Sequence, residues 1–162
     1  MSLPKRSHPR LKDFDYGTAG VYFVTLCSKD KRHIFSHVSV GRDDPGAPSV
    51  QATSIGKIVE KYILSINDFY DNVSVDKYVI MPNHIHILIS INAANGAPGS
   101  SRPTVSQIIS ALKRFTNKET GQKLWQTSFY DHIIRDEHDY LVRWQYINDN
   151  PVRWADDEYY TN

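Results

Sequence analysis

A single cysteine, Cys27, in 162 residues excludes an internal disulfide framework and any CxxC zinc site. It reads as a small buried strand residue rather than a nucleophile. Long hydrophobic runs are missing as well: no apolar stretch approaches the roughly 18 residues needed to span a bilayer, so no membrane association is expected. The opening Met1-Ser2-Leu3-Pro4-Lys5-Arg6 lacks the hydrophobic segment of a signal peptide, which points to a cytoplasmic location. Excess charge of one sign is absent too. The net charge of +1 by itself argues for no polyanion partner.

What is present fits an ordinary globular protein, with 40% hydrophobic and 23% charged residues. The length suits one domain, 1–162, with a core over about 20–154, and no internal repeat or domain boundary is visible. The charge is unevenly spread. Residues 1–33 hold seven Lys or Arg against three Asp, residues 101–125 hold five against one Glu, and Asp156-Asp157-Glu158 is acidic. Such asymmetry is compatible with a basic groove for nucleic acid, though solvated faces produce it too.

Periodicity supplies the elements. Gly20–Ser28 is rich in β-branched and aromatic residues and predicts a first strand. Gly41–Pro48 is a glycine- and proline-rich loop. Ser54–Phe69 sets Ile55, Ile58, Val59, Tyr62, Ile63 and Ile66 at helical spacing. Strands are expected over Val73–Met81 and His84–Ile91, then a flexible connection over Asn92–Pro103. Thr104 can cap a helix to about Glu119, with Val105, Ile108, Ile109, Leu112 and Phe115 on its apolar face. A short strand over Phe129–Arg135 precedes a third helix, about Glu137–Asp149, which Pro151 ends. The order βαββαβ plus a C-terminal helix predicts an α+β, ferredoxin-like sandwich with one antiparallel sheet covered by two helices.

The most informative stretch runs from Tyr78 to Ile89 and contains Pro82-Asn83-His84-Ile85-His86. Side chains alternate along a strand, so His84 and His86 share one face while Ile85, Ile87 and Ile89 take the other. Paired imidazoles on a rigid strand can ligate one divalent metal, and solvent-facing or internally satisfied histidines are the alternative. On the third helix, Tyr140, Trp144 and Ile147, with Leu141 nearby, form a packing stripe. Asp139, Arg143, Tyr146 and Asn150 fall on the opposite, polar side. Tyr146 and Asn150, at i and i+4, are neighbours there. A phenol, an amide and a guanidinium together suit phosphate chemistry.

The segments YVIMPNHIHILI and FYDHIIRDEHDYLVRWQYINDNPVRW, with the preceding LWQ, resemble the REP-associated tyrosine transposases of the HUH single-tyrosine transposase superfamily. The likeness runs from about Tyr22 to Trp154. It includes the His84-Ile85-His86 pair and, about sixty residues later, the Tyr-x-x-x-Asn-Pro helix end from Tyr146 to Pro151.

The resemblance implies that His84 and His86 bind Mg²⁺ or Mn²⁺. Asn150 matches the position of a third polar ligand, where insertion-sequence relatives often carry glutamine. Tyr146 matches the nucleophile, and Tyr140, off the motif, is assigned a structural role. A divalent cation would polarise the scissile phosphate, and attack by the phenol would leave a 5′-phosphotyrosine and release a 3′-hydroxyl, so strand transfer needs no ATP.

The implied substrate is single-stranded DNA beside imperfect hairpins such as repetitive extragenic palindromes, and a monomer is favoured over a dimer. Lys113, Arg114, Lys118 and Arg143 are candidates for DNA contact. Trp125, Tyr130 and Trp154 could stack on bases or pack in the core. His132 and His138 do not share the pair's spacing and are not expected to be ligands. A His-x-His-x-His nucleotide hydrolase is disfavoured because Leu88 stands at the third position. A domesticated hairpin-binding protein without cleavage is the main alternative, and RNA is a further possible substrate.

Overall fold

A computed structural model describes residues 19–39, 49–92 and 103–161. The loop expected at Gly41–Pro48 lies outside these residues, as does the connection expected at 92–103 apart from its ends.

Four strands form one antiparallel sheet: β1 (Gly20–Cys27), β4 (Val73–Ile80), β5 (His84–Ile91) and β6 (Tyr130–Ile134), in the order β4-β5-β1-β6. The order follows from a ferredoxin-like chain path, in which each helix returns the chain for an antiparallel pairing. Short strands β2 (Ser36–Ser39) and β3 (Ser49–Ala52) pair separately as a two-stranded ladder. Sequence periodicity missed them because four residues carry too little alternation. Helices α1 (Ser54–Phe69), α2 (Val105–Thr120) and α3 (Glu137–Asp149) agree with expectation to within a residue.

Each helix begins on a side-chain cap. Thr53 Oγ1 accepts from Gly56 N–H at 3.0 Å, and Asp136 accepts from Asp139 N–H at 2.8 Å. Thr104 and Gln107 form a reciprocal capping box. Gly121, at φ 69°, ends α2 in the left-handed region that glycine enters without a Cβ clash.

The central strands feed two cores by alternation. Tyr22, Val24 and Leu26 of β1 join Ile85, Ile87 and Ile89 of β5 beneath α1 and α2, with Val59, Ile63, Ile108 and Leu112 from the helices. Phe23 and Leu88 point to the other face and meet Ile147 of α3. Trp125 is 7% exposed and stacks on Phe35 at 4.8 Å, with its indole N–H donating to Thr116, so it packs in the core. Phe115, expected on the buried face of α2, is 39% exposed and stacks on Tyr62 instead.

Two readings of α3 change. Arg143 and Asn150, expected on the side opposite Ile147, are 7% and 1% exposed and lie in the same inward stripe as Ile147. Leu141, placed near the packing stripe, is 56% exposed. The hydropathy pattern misleads because the face that α3 presents to the sheet is itself partly polar.

Gly56 sits where α1 touches the segment before β2, and a Cβ built there would collide with the Phe35 carbonyl oxygen. Elsewhere in a helix Gly→Ala stabilises by up to about 1 kcal/mol. At this position Gly56→Ala is expected to cost about 1–3 kcal/mol, because backbone rather than a flexible side chain must move. Urea denaturation measures it, and a stabilised variant would show that the contact yields.

Candidate functional site

β5 projects His84 and His86 on the Leu88 face, opposite Ile85, Ile87 and Ile89, as alternation requires. Both imidazoles are 0% exposed, and their ring centroids lie 4.7 Å apart. His86 stacks on Phe23 at 5.2 Å, and its Nδ1 lies 2.7 Å from the hydroxyl of Thr25, its cross-strand partner on β1.

Asn83 fixes the tautomer of His84. Its NH₂ donates to the Tyr159 carbonyl at 2.7 Å, which turns its oxygen toward His84 Nδ1 at 2.8 Å. An amide oxygen only accepts, so Nδ1 carries the proton and Nε2 presents a bare lone pair.

Asn150 is set in a similar way. Its NH₂ donates to Asp157 Oδ2 at 2.9 Å, leaving its own oxygen available. His84 Nε2, His86 Nε2 and Asn150 Oδ1 are all buried without a hydrogen-bond partner. Each such group costs about 1–3 kcal/mol if left unpaired. Two neutral nitrogens and an amide oxygen are a fitting donor set for a divalent ion, which would satisfy them together.

The acidic end supplies the group that sequence reasoning missed. Asp157 Oδ2 lies 3.9 Å from His84 Nε2, with its side chain 1% exposed. The ligand atoms of His84, His86 and Asp157 all lie within 4.8 Å of one another, so this cluster could hold a metal. In sequence Asp157 is one of three consecutive acids with no local mark of burial. The helical turn Trp154–Asp156 brings it back over the sheet. Tyr159 closes against His84 at 4.7 Å, and Trp154 lies 5.9 Å from the same ring.

Tyr146 flanks the pair, its ring 5.2 Å from His86 and 6.0 Å from Phe23. It borders an open cleft of roughly 470 Å³ shared with Asp149, Arg153, Asp157 and Glu158. Burial first, then Asp157 and Glu158, pushes the Tyr146 phenol well above the usual tyrosine range. Asn150 and Arg143 work in the opposite direction. Burial likewise pushes the Cys27 thiol up to about 11, so it stays protonated.

The other sequence candidates lie apart from this centre. Lys113, Arg114 and Lys118 stand on α2, which packs on the opposite face of the sheet. The Lys113 ammonium donates to the carbonyls of Gln126, Thr127 and Ser128 at 2.9–3.4 Å. Arg114 and Lys118 are exposed. Arg143 lies under α3, its guanidinium 5.4 Å from the Phe23 ring and its Nε 3.4 Å from Asp139. His132 pairs with that same Asp139 at 2.7 Å, and the Tyr140 hydroxyl donates to Asp76 at 3.0 Å. No helix among the described residues is long and apolar enough to cross a membrane.

Known proteins resemble this chain in sequence and in shape, although no family model matches it. An uncharacterized protein of Haemophilus influenzae is 33% identical over 172 residues, covering 94% of this chain and 92% of that one. A REP-associated tyrosine transposase of Escherichia coli is 28% identical over 79 residues, 49% of this chain and 44% of its own length. A solved REP-associated tyrosine transposase bound to a REP hairpin superposes with TM-score 0.61 at 18% identity, covering 89% of this chain and 74% of that one. At that identity the superposition establishes the shared fold.

Burial holds His84 down to about pKa 3 and holds His86 well below the usual histidine range, where His84 and Arg143 add repulsion. In the unfolded chain His84 titrates near 6.5. Between these values the unfolded state takes up a proton that the folded state refuses. Stability of the metal-free protein therefore falls as pH drops below about 6.5, by about 1.4 kcal/mol per pH unit for this residue. His84→Gln should remove that share of the slope, read from urea midpoints in EDTA between about pH 6 and pH 4. An unchanged slope would mean that His84 is not held neutral.

Proposed function

We propose that this chain, which is similar to REP-associated tyrosine transposases in sequence and fold, is a metal-dependent endonuclease and strand transferase for single-stranded DNA at hairpins. The observation that carries the proposal is a buried histidine pair whose Nε2 atoms lack hydrogen-bond partners, clustered within 4.8 Å of the Asp157 carboxylate and flanked by a half-buried tyrosine. Such a site fits Mg²⁺ or Mn²⁺ with His84, His86 and Asn150 as ligands. The ion would supply Lewis-acid polarisation of the scissile phosphate.

The remaining chemistry belongs to side chains. Tyr146 Oη forms the bond to phosphorus as the P–O3′ bond breaks. The phenolic proton leaves to solvent or to the departing 3′ oxygen, and DNA stays attached as a 5′-phosphotyrosine. Attack by a 3′-hydroxyl reverses these steps and rejoins a strand. Arg143, beneath Phe23 and close enough to pull the phenol downward in pKa, favours the anionic form of Tyr146. Arg114 and Lys118, exposed on α2, are proposed to meet hairpin phosphates. Lys113 is proposed to do so at the edge of the 126–128 turn that it braces. The active species is proposed to be a monomer.

A second reading has one observation behind it. Burial and two nearby carboxylates keep the Tyr146 phenol protonated, which suits a protein that binds hairpins without cutting them.

Incubation with labelled single-stranded hairpins and Mg²⁺ or Mn²⁺, followed by denaturing gel and mass spectrometry, separates the two readings. A DNA adduct on Tyr146 is expected. Tyr146→Phe should abolish that adduct and lower cleavage by roughly three orders of magnitude or more, while hairpin affinity is kept. His84→Ala should lose metal-stimulated cleavage. Binding by the wild type with no adduct under either metal would leave only the hairpin-binding reading.

The phosphate contacts have their own signature. Replacing Arg114 and Lys118 by alanine should flatten the salt dependence of log K for the hairpin by about 0.9 per lost contact on its duplex stem. An unchanged slope would move the DNA path away from α2.

A further inference from the structure

We propose that Asp157 is the charged ligand of the His84–His86 centre, so that a divalent ion bound there fastens the 154–161 segment to the sheet. The inference rests on the reading of the histidine pair as a metal site. It adds a ligand from outside the helix that carries Tyr146 and Asn150.

The argument starts from the solvation of a carboxylate. The Asp157 side chain is 1% exposed, and a buried carboxylate costs several kcal/mol unless a counter-charge compensates. Among the described residues no Lys or Arg forms an ion pair with it. Its hydrogen-bond donors there are neutral: Tyr159 N–H at 2.8 Å to Oδ1 and the Asn150 amide at 2.9 Å to Oδ2. The neighbouring imidazole of His84 is neutral as well, with its proton on the far nitrogen. Among the described residues this carboxylate, 3.9 Å from His84 Nε2, therefore has no cationic side chain beside it, and a dication held with the histidine pair would supply that charge.

Position supports the same assignment. Tyr159 N–H holds Oδ1, so Oδ2 is the oxygen turned toward His84 Nε2, 3.9 Å away. Adjacent ligands of an ion with bonds of about 2.1 Å sit about 3 Å apart. The trio, within 4.8 Å, has to contract to bind one. That contraction draws Asp157 inward, and Asp157 carries a segment already tied to the centre. Asn83 holds the Tyr159 carbonyl, the Tyr159 ring lies on His84, and Thr161 Oγ1 lies 2.7 Å from His33 Nε2. Asp157 also changes the chemical preference of the site. Two imidazoles and an amide carry no charge, whereas an added carboxylate oxygen favours hard ions such as Mg²⁺ and Mn²⁺.

The test compares Mn²⁺ binding, by electron paramagnetic resonance and calorimetry, in the full chain, Asp157→Asn and the exposed neighbour Asp156→Asn. Hydrogen exchange of the C-terminal segment with and without Mn²⁺ is measured alongside. Asp157→Asn should weaken Mn²⁺ at least tenfold and Asp156→Asn less than twofold. Mn²⁺ should slow exchange around Tyr159 in the wild type and not in Asp157→Asn. The wild-type exchange measurement decides even if that variant folds poorly, which a metal-free thermal melt detects. Wild-type Mn²⁺ binding with no slowing around Tyr159, or with Asp157→Asn unimpaired, overturns the role of Asp157 and leaves the histidine pair standing. A wild type that binds no Mn²⁺ removes the metal reading itself, and this inference with it.

Discussion

Burying two imidazoles side by side on β5 requires both to stay neutral, and much of the surrounding polar structure serves that requirement. Phe23 covers one ring, Thr25 holds its Nδ1, and Asn83 orients the other. Both Nε2 atoms are left without a hydrogen-bond partner, and that of His84 lies 3.9 Å from Asp157 of the C-terminal segment. Desolvation keeps them unprotonated over the range in which an exposed histidine would charge. Neutral imidazole is the ligating form, so desolvation leaves the pair in the state in which it could hold a metal.

The same desolvation acts on Tyr146 in the opposite sense. A phenol in this setting resists ionisation, and the acids that follow α3 add to the effect. A site that holds its histidines ready for metal thus holds its tyrosine in the protonated state until positive charge arrives. A cation on the imidazoles or a movement of the acidic segment would each lower that barrier, and Asp157 connects the two. The chain beyond α3 is therefore part of the electrostatics of the centre.

Several features were legible from pattern alone. Period-two alternation in β5 set His84 and His86 on one face and Ile85, Ile87 and Ile89 on the other, as the two cores show. Thr104 as a helix cap and Ser54–Phe69 as a helix followed from local rules. Elements whose signal was short or inverted were not legible. The β2–β3 ladder has four residues a side. α3 turns Arg143 and Asn150 inward beside Ile147, which a polarity projection had set on opposite sides. Asp157 looked like one acid in an exposed run because burial of a single carboxylate depends on a return of the chain that no local spacing encodes.

By itself the sequence determined the order of elements, the common face of His84 and His86, and the i, i+4 relation of Tyr146 and Asn150. These are consequences of backbone periodicity, which is local. The tertiary structure decided which polar atoms are left unpaired, which tautomer His84 adopts, and which acid reaches the centre. Those outcomes depend on contacts between residues far apart in the chain, such as Asn83 with Tyr159, 76 positions away, and on the low dielectric that packing of α3 and the C-terminal segment against the sheet creates.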